Sequence, residues 1–595
     1  MGLIISIPLE LTLHFNFKKM NQMITLKGIR HTLYSILCLV VLNSCETFLD
    51  RPPLDRIATE NYWKTSQDLE NYVIKYYASF PSHGTWSNGY GYPVTNADNL
   101  IIATPNSILT GQRGITTGRW TSDWTNIRSV NIFFDNYQNC QDEFETYAQY
   151  LGEAHFFRAW FYFSLVKKYG DVPWYSSEIS MDSEGLNRPR DPRTLVVDSI
   201  LADVDEAINL LHLRADVGNN RLNKETALAF KARIALFEGT WQKYHAGTPF
   251  GTVGAQPEKY FQACVDAVEE LMNGNYSRGI YTTGDEEQDY YTLFGMDNMS
   301  DVNEVLFYRA YNLENAVKND VQYATTSATN QMGVTWELVS SYLTKEGQPY
   351  DYLSTATTEK GNDFLLKVAA DVDPRFHASV WIPGDLRWAN PEHRFSKPSI
   401  DKVDLVLNPT GFQLKKCSNP YAAGNLGGGS SETGYILFRY GETLLNYAEA
   451  KYELDGTITY GVLNQLRSRV GMAEFQVFPQ SSDPNWVDYG YPISDALYEI
   501  RRERRVELAL EGHREDDYRR WAAHSLFQGK RPKGYPFEQS EFPEYHPPLD
   551  EHGLIDYYQK IIPNGYLFRE DQDYLSPIPE EEFTLNPNLD QNPNW

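Results

Sequence analysis

Apolar residues recur every three or four positions through much of the chain, the spacing of amphipathic helices. "KTSQDLENYVIKYYAS" (64–79) predicts a first helix with Thr65 or Ser66 as its N-cap. A second is predicted around Trp120–Gln141. In "TYAQYLGEAHFFRAWFYFSLVKKYGDVPW" the aromatics Phe156, Phe157, Trp160, Phe161, Tyr162 and Phe163 run nearly all round the helix. That distribution predicts burial on most sides. Gly170 and Pro173 mark its end. "PRTLVVDSILADVDEAINLL" is amphipathic, and "NKETALAFKARIALFEGTWQKY" with "EKYFQACVDAVEELMNG" forms a helix pair.

A third pair is predicted from "YILFRYGETLLNYAEAKYELDG" and "YGVLNQLRSRVG", with Leu437, Tyr440, Leu444, Tyr447 and Ala448 on one face. A last long helix is predicted over "SDALYEIRRERRVELALEGHREDDYRRWAA". Successive helix pairs suggest a tetratricopeptide-like solenoid. They are unevenly spaced, because turn-rich and strand-prone sequence fills roughly 275–434. The expected organisation is an all-α helical-repeat scaffold with a large, irregular, loop-rich half. Its parts are 45–275, an excursion at 276–434, and 435–595. The loop "GNLGGGSSETG" reads as a flexible approach to the helix after Tyr435.

The pattern changes before residue 45. Lys27, Arg30 and His31 precede a short apolar run that stops at Ser44-Cys45-Glu46. A bilayer span takes about 20 apolar residues, so the run has the length of a signal-peptide core instead. Leu42-Asn43-Ser44-Cys45 resembles a lipobox, which predicts that Cys45 is acylated and becomes the first residue after cleavage. Met20 and Met23 are further possible starts. Residues 1–19 therefore read as an upstream extension, and 1–44 as extension plus signal.

The net charge of −26 makes nucleic acid and anionic membrane surfaces poor partners. Beyond Cys38 and Cys45, the cysteines Cys140, Cys264 and Cys417 are odd in number and widely spaced, which suits neither a disulfide framework nor a zinc site. HExxH, Walker A, GxGxxG, GxSxG and CxxC motifs are all missing. No catalytic residue, metal or cofactor is expected. "EGHREDDYRRW" is the most tempting acid cluster, but with Glu503, Glu507, Glu511, Arg504, Arg514 and Asp517 at i,i+3 and i,i+4 spacing it reads as ion pairs within a helix. Aromatic residues make up 14% of the chain, which calls for an aromatic core or a surface of flat rings.

Several motifs in order resemble the SusD/RagB family of nutrient-binding outer-membrane lipoproteins. They are "CETFLDRPPLDRIATENYWKTSQDLENYV", "GEAHFFRAWFYFSLVKKYGDVPW", "FRYGETLLNYAEAKYEL" with "LNQLRSRVGM", "RRERRVELALEGHREDDYRRW", and the closing "YLSPIPEEEFTLNPNLDQNPNW". The resemblance spans nearly all of 45–595. It implies a tetratricopeptide-like core, lipid attachment to the outer leaflet of the outer membrane, and a SusC-type TonB-dependent transporter beneath. It also implies capture of oligosaccharide, or in some members peptide, without cleavage. A glycoside hydrolase and a pure protein scaffold are the alternatives.

Trp124, Trp160, Phe161, Tyr162 and Trp521 lie in helical stretches and read as core, and Trp336 and Trp381 as buried. A discriminating site is expected on irregular segments held by a rigid scaffold. One is the loop after the first helix, with Trp86, Tyr90 and Tyr92; the other is the excursion, with Tyr290, Tyr291, Tyr323 and Trp388. The resemblance supports both, and Asn88, Asp98, Asp285 and Arg387 are the candidate polar contacts. The anchor has its own test. Cys45→Ala is expected to leave a folded protein that no longer partitions into detergent or takes up labelled palmitate. Retention in the membrane fraction would remove the lipoprotein reading.

Overall fold

The computed structural model describes residues 62–115, 120–179 and 184–595. Residues 1–44, expected to be extension and signal, and Cys45 lie outside the described residues. Contacts divide the chain into two units, Met1–Lys64 and Thr65–Trp595. The second unit carries all the described helices and strands.

Its first helix, α1 (Ser66–Val73), opens on a capping box. Thr65 Oγ1 accepts from Asp68 N, and Asp68 accepts from Thr65 N. The segment then tightens into a 3₁₀ turn, Ile74–Ser79. The scaffold follows as α2 (Trp120–Asn136), α3 (Phe144–Tyr169), α4 (Arg193–Leu210), α5 (Lys224–Tyr244) and α6 (Pro257–Asn273). After the excursion come α7 (Tyr440–Asp455), α8 (Tyr460–Ser468), α9 (Asp495–Glu507) and α10 (Arg514–Arg520). Helix α3 packs on α4, α4 on α5, α5 on α6, and α7 on α6 and α5, which is a stack of helical hairpins.

The aromatic run of α3 is the seam of this stack. The Phe156 ring lies 4.8 Å from Phe230 of α5, and Phe230 lies 5.8 Å from Phe438. Helices α5 and α6 approach so closely at Gly239 that a Cβ there would stand 2.7 Å from the Phe261 ring. Gly170 ends α3 in a positive-φ conformation, as its position predicts. Phe161, Tyr162 and Trp521 are buried as expected, whereas Trp124 and Trp160 are only half-buried.

Two short antiparallel pairs stitch the excursion to the rest of the chain, β1 (Leu100–Ile101) with β3 (Gly333–Val334) and β2 (Val305–Arg309) with β6 (Tyr435–Arg439), and β4 (Leu386–Ala389) with β5 (Glu392–Arg394) forms a hairpin inside it. The pairing of β2 with β6 corrects one expectation. Tyr435–Arg439 is a strand buried along its whole length, not the start of a helix, so Leu437 leaves the predicted face. A short apolar run suits either element, and here pairing with a strand about 130 residues away decides. Tyr440, Leu444, Tyr447 and Ala448 do line the buried side of α7.

The predicted last helix is two. Leu510 (φ 66°) and Gly512 (φ 87°) turn the chain between α9 and α10, and a Cβ at Gly512 would meet the Pro93 ring at 2.6 Å. Its charges are also paired differently from expectation. They bond mainly across elements and inside the protein. Glu507 of α9 meets Arg375, Arg439 and Arg469 at 2.8, 2.8 and 2.5 Å. Glu304 meets Arg439 and Arg469, Glu503 meets Arg375 and Arg467, Asp373 meets Arg375, and Glu511 meets Arg439 and Lys416. A second cluster sets Glu449 against Arg520, with Trp521 Nε1 donating to the same carboxylate at 2.6 Å.

Burial opposes the charge on Glu442 and Glu449, yet the guanidiniums of Arg233 and Arg520 hold these carboxyls down at about 2. Burial pushes Glu337 and Glu499 the other way, up to about 7. An unfolded glutamate titrates near ~4.3. Between that value and about 2, the unfolded chain binds more protons through Glu442 and Glu449, so stability is lost as pH falls. From about 7 down to that value, the folded chain binds more through Glu337 and Glu499, so stability rises as pH falls. Thermal midpoints are therefore expected to peak near pH ~5 and to drop steeply below ~4. A midpoint unchanged between pH ~5 and ~3 would contradict the ion-pair account.

Candidate functional site

The early loop and the excursion meet at Asp320. Its carboxylate is buried and accepts from Trp86 N at 2.6 Å and from Gly429 N. Its own N–H donates to Gly84 O at 2.9 Å. The short helix Val321–Thr326 starts there, and Gly89 lies against it so tightly that a Cβ would meet Ala324 Cβ at 2.8 Å. Asn330 Nδ2 donates to Trp86 O at 3.3 Å. Held this way, Trp86 sits at φ 52° in a one-turn 3₁₀ helix with 70% of its surface exposed.

From the short helix the bonding continues outward. Thr326 Oγ1 and Ser327 Oγ donate to Asn425 O, Asn425 Nδ2 donates to Asn419 O, and Ala389 N of β4 donates to Pro420 O. The series thus joins the Trp86 loop to the β4–β5 hairpin. It carries Trp86, half-buried Tyr323, exposed Tyr421 and half-buried Trp388, with exposed Asn88 beside Trp86. Trp388 stacks on His393, centroids 4.1 Å apart, and the Arg387 guanidinium lies 5.6 Å from the Trp388 ring.

The other candidates sit elsewhere or face inward. Tyr90 and Tyr92 are buried, and their hydroxyls donate to Leu510 O and Ile436 O. Tyr92 stacks on Tyr435 at 4.3 Å and His83 packs edge-on against both, its imidazole pushed down to about 3 by burial and so neutral. These buried rings anchor the loop, and Tyr92 also contributes to the lining of a cavity on the scaffold. Tyr290 is buried in the ion network, donating to Glu507 O and accepting from Lys416. Asp98 is buried between Arg505 and Arg514. Tyr291 is half-buried, its hydroxyl 3.0 Å from Ser418 Oγ. Asp285 is exposed, but it caps its own turn, which lies against Gly471 beyond α8. Trp336 and Trp381 are buried as expected.

Asp320, Asn330, Tyr421 and the glycines at 427–429 were not legible as site residues. The Gly-rich stretch was the available signal. It is tied down through Gly429, Asn425 and the Asn319–Ser431 bridge, not a free linker.

A cavity of about 420 Å³ lies on the scaffold, lined among others by Trp160, Phe163, Lys167, Arg233, Glu442 and His513. It explains why Trp160 is only half-buried. Its charges already satisfy one another, Lys167 with Asp516 and Arg233 with Glu442. Trp86 and Tyr421 of the Asp320 face are open to solvent, and that face is the better candidate.

A stack of helical hairpins with an irregular, loop-rich half defines a class of helical-repeat scaffolds. The comparisons narrow it. A model described as "SusD family" matches residues 292–595, and one described as "Starch-binding associating with outer membrane" matches 56–236. Two SusD-like proteins of Formosa agariphila are each 24% identical to the chain. One alignment covers 82% of this chain and 90% of the relative, the other 93% and 97%. A SusD-like protein from Bacteroides fragilis shares the fold with TM-score 0.69 at 20% identity, covering 92% of this chain and 100% of that one. A SusD-like carbohydrate binding protein from the same species gives 0.67 at 22%, covering 89% and 99%. The chain belongs to the SusD family.

Asp320→Ala removes both acceptors that hold the two loops. Hydrogen bonds to a charged group contribute about 1.5–3 kcal/mol, so amide exchange at Trp86 and Gly429 is expected to accelerate roughly tenfold or more. Asp320→Asn, which keeps one acceptor, should fall between. Wild-type exchange at both amides in the Ala variant would show that Asp320 does not organise the face.

Proposed function

We propose that the protein is a non-catalytic glycan-capture lipoprotein of the outer membrane. It holds oligosaccharide at the cell surface and passes it to a SusC-type TonB-dependent transporter. The observation that carries this reading is the series of exposed and half-exposed rings, Trp86, Tyr323, Tyr421 and Trp388, on segments joined by hydrogen bonds that run from Asp320 to β4. Sugar rings present C–H faces that flat aromatic surfaces cover, and a preordered surface binds without a large ordering cost. Membership of the SusD family supports the surface role, and the matched description of starch binding at the outer membrane supports the ligand class. The absence of cleavage is supported by the acids of "EGHREDDYRRW": Glu511 and Asp517 are buried in ion pairs, and Asp516 is bonded to Lys167.

Stacking on one ring contributes on the order of 1 kcal/mol. Trp86→Ala and Trp388→Ala are therefore expected to weaken binding of an array-identified oligosaccharide roughly five- to tenfold each by calorimetry, with thermal midpoints near wild type. Unchanged affinity in both would move the site elsewhere. Release of shorter products would replace this reading with a hydrolase, and failure to bind any glycan would leave a protein scaffold.

A further inference from the structure

Among the described residues, Arg387 is a cation without an anion. It lies half-buried on β4, with its guanidinium 5.5 Å from Phe395, 5.6 Å from Trp388 and 5.9 Å from Trp381. Its Nε is buried with no hydrogen-bond partner. The neighbouring carboxylates are taken. Asp385 is held by His377 and Lys415, each at 2.8 Å, and Glu392 by Arg394 at 3.0 Å. The contrast with Arg375, Arg439 and Arg469 is sharp, because each of those meets at least two carboxylates. Burial lowers Arg387 to about 10, which leaves it charged at neutral pH. Burial, and the Arg387 charge beside it, also lower His393, so the ring stacked on Trp388 is neutral.

Rings around a guanidinium favour the cation without using its N–H donors. A guanidinium fixed in that way presents a planar fork that suits carboxylate or sulfate oxygens. It stands beside a ring already assigned to sugar stacking. We propose that Arg387 and Trp388 form a subsite for a sugar residue bearing an anionic substituent, a uronate carboxylate or a sulfate ester. This rests on the glycan-binding reading of the same face. The net charge of −26 does not oppose it at contact range, because charges more than about 8 Å away are largely screened at physiological ionic strength.

The test uses the full chain on an immobilised panel of uronate-containing, sulfated and neutral oligosaccharides, with wild type, Arg387→Gln and Arg387→Lys. Wild type is expected to bind an anionic probe and to lose at least roughly tenfold when that probe is carboxyl-reduced or desulfated. Which treatment matters tells uronate from sulfate. Arg387→Gln should show the same loss on the intact probe and Arg387→Lys a smaller one. Binding of neutral sugars alone, or anionic binding indifferent to both Arg387→Gln and reduction or desulfation, overturns the subsite and spares the glycan reading. Binding of no sugar at all overturns both. If Arg387→Gln fails to fold, the reduced and desulfated probes on wild type still decide.

Discussion

The structure depends on a group of charges placed where water cannot reach them. Glu507 sits at its centre with Arg375, Arg439 and Arg469 around it, all essentially buried. Taking such groups out of water is costly, and the attraction recovers that cost only when geometry is good and every partner is present. The partners come from six places in the chain: Glu304 just before β2, the short helix Pro374–Ser379, the excursion at Lys416, strand β6, the end of α8, and α9 with the turn after it. Each must arrive in register or leave an unpaired charge behind. A scaffold of helical hairpins could stack on apolar contacts alone, but this cluster fixes where the irregular half meets it.

Rigidity then passes outward through polar contacts of decreasing burial. Arg439 ends β6, and β6 pairs with β2, whose neighbour Glu304 returns to the same cluster. Tyr290 carries the connection to the start of the excursion by donating to Glu507 O. The Trp86 loop is anchored by buried Tyr90, Tyr92 and His83, and only its tip is released to solvent. A large aromatic content thus serves two ends. Most rings are structural, and a few stand on top of them.

How much of this is legible in the sequence follows from the range of the forces involved. The α3 and α5–α6 patterns are local, so periodicity and the Gly170 stop place them well. The strand at Tyr435–Arg439 is decided by a partner far away in sequence, so its apolar run was read as helix. The split between α9 and α10 turns on Leu510 and Gly512, which a dense charge pattern masks. Among site residues, Trp86 stands out because Gly, Ser and Asn surround it. Tyr90 and Tyr92 have the same surroundings, and their burial depends on contacts with Leu510 and Ile436 that local sequence does not announce. Asp320 is unremarkable in its own stretch, since its meaning lies in two loops brought to it.

That shared carboxylate has a consequence for variation within the face. The turn bearing Trp86 and the glycine-rich turn at 427–429 answer to one acceptor pair, so they behave as a single degree of freedom. A change of length in either turn re-aims the other. Substitutions in the two turns should therefore be non-additive, as expected for residues linked through a common partner. A lineage changing its ligand has to alter both turns in concert.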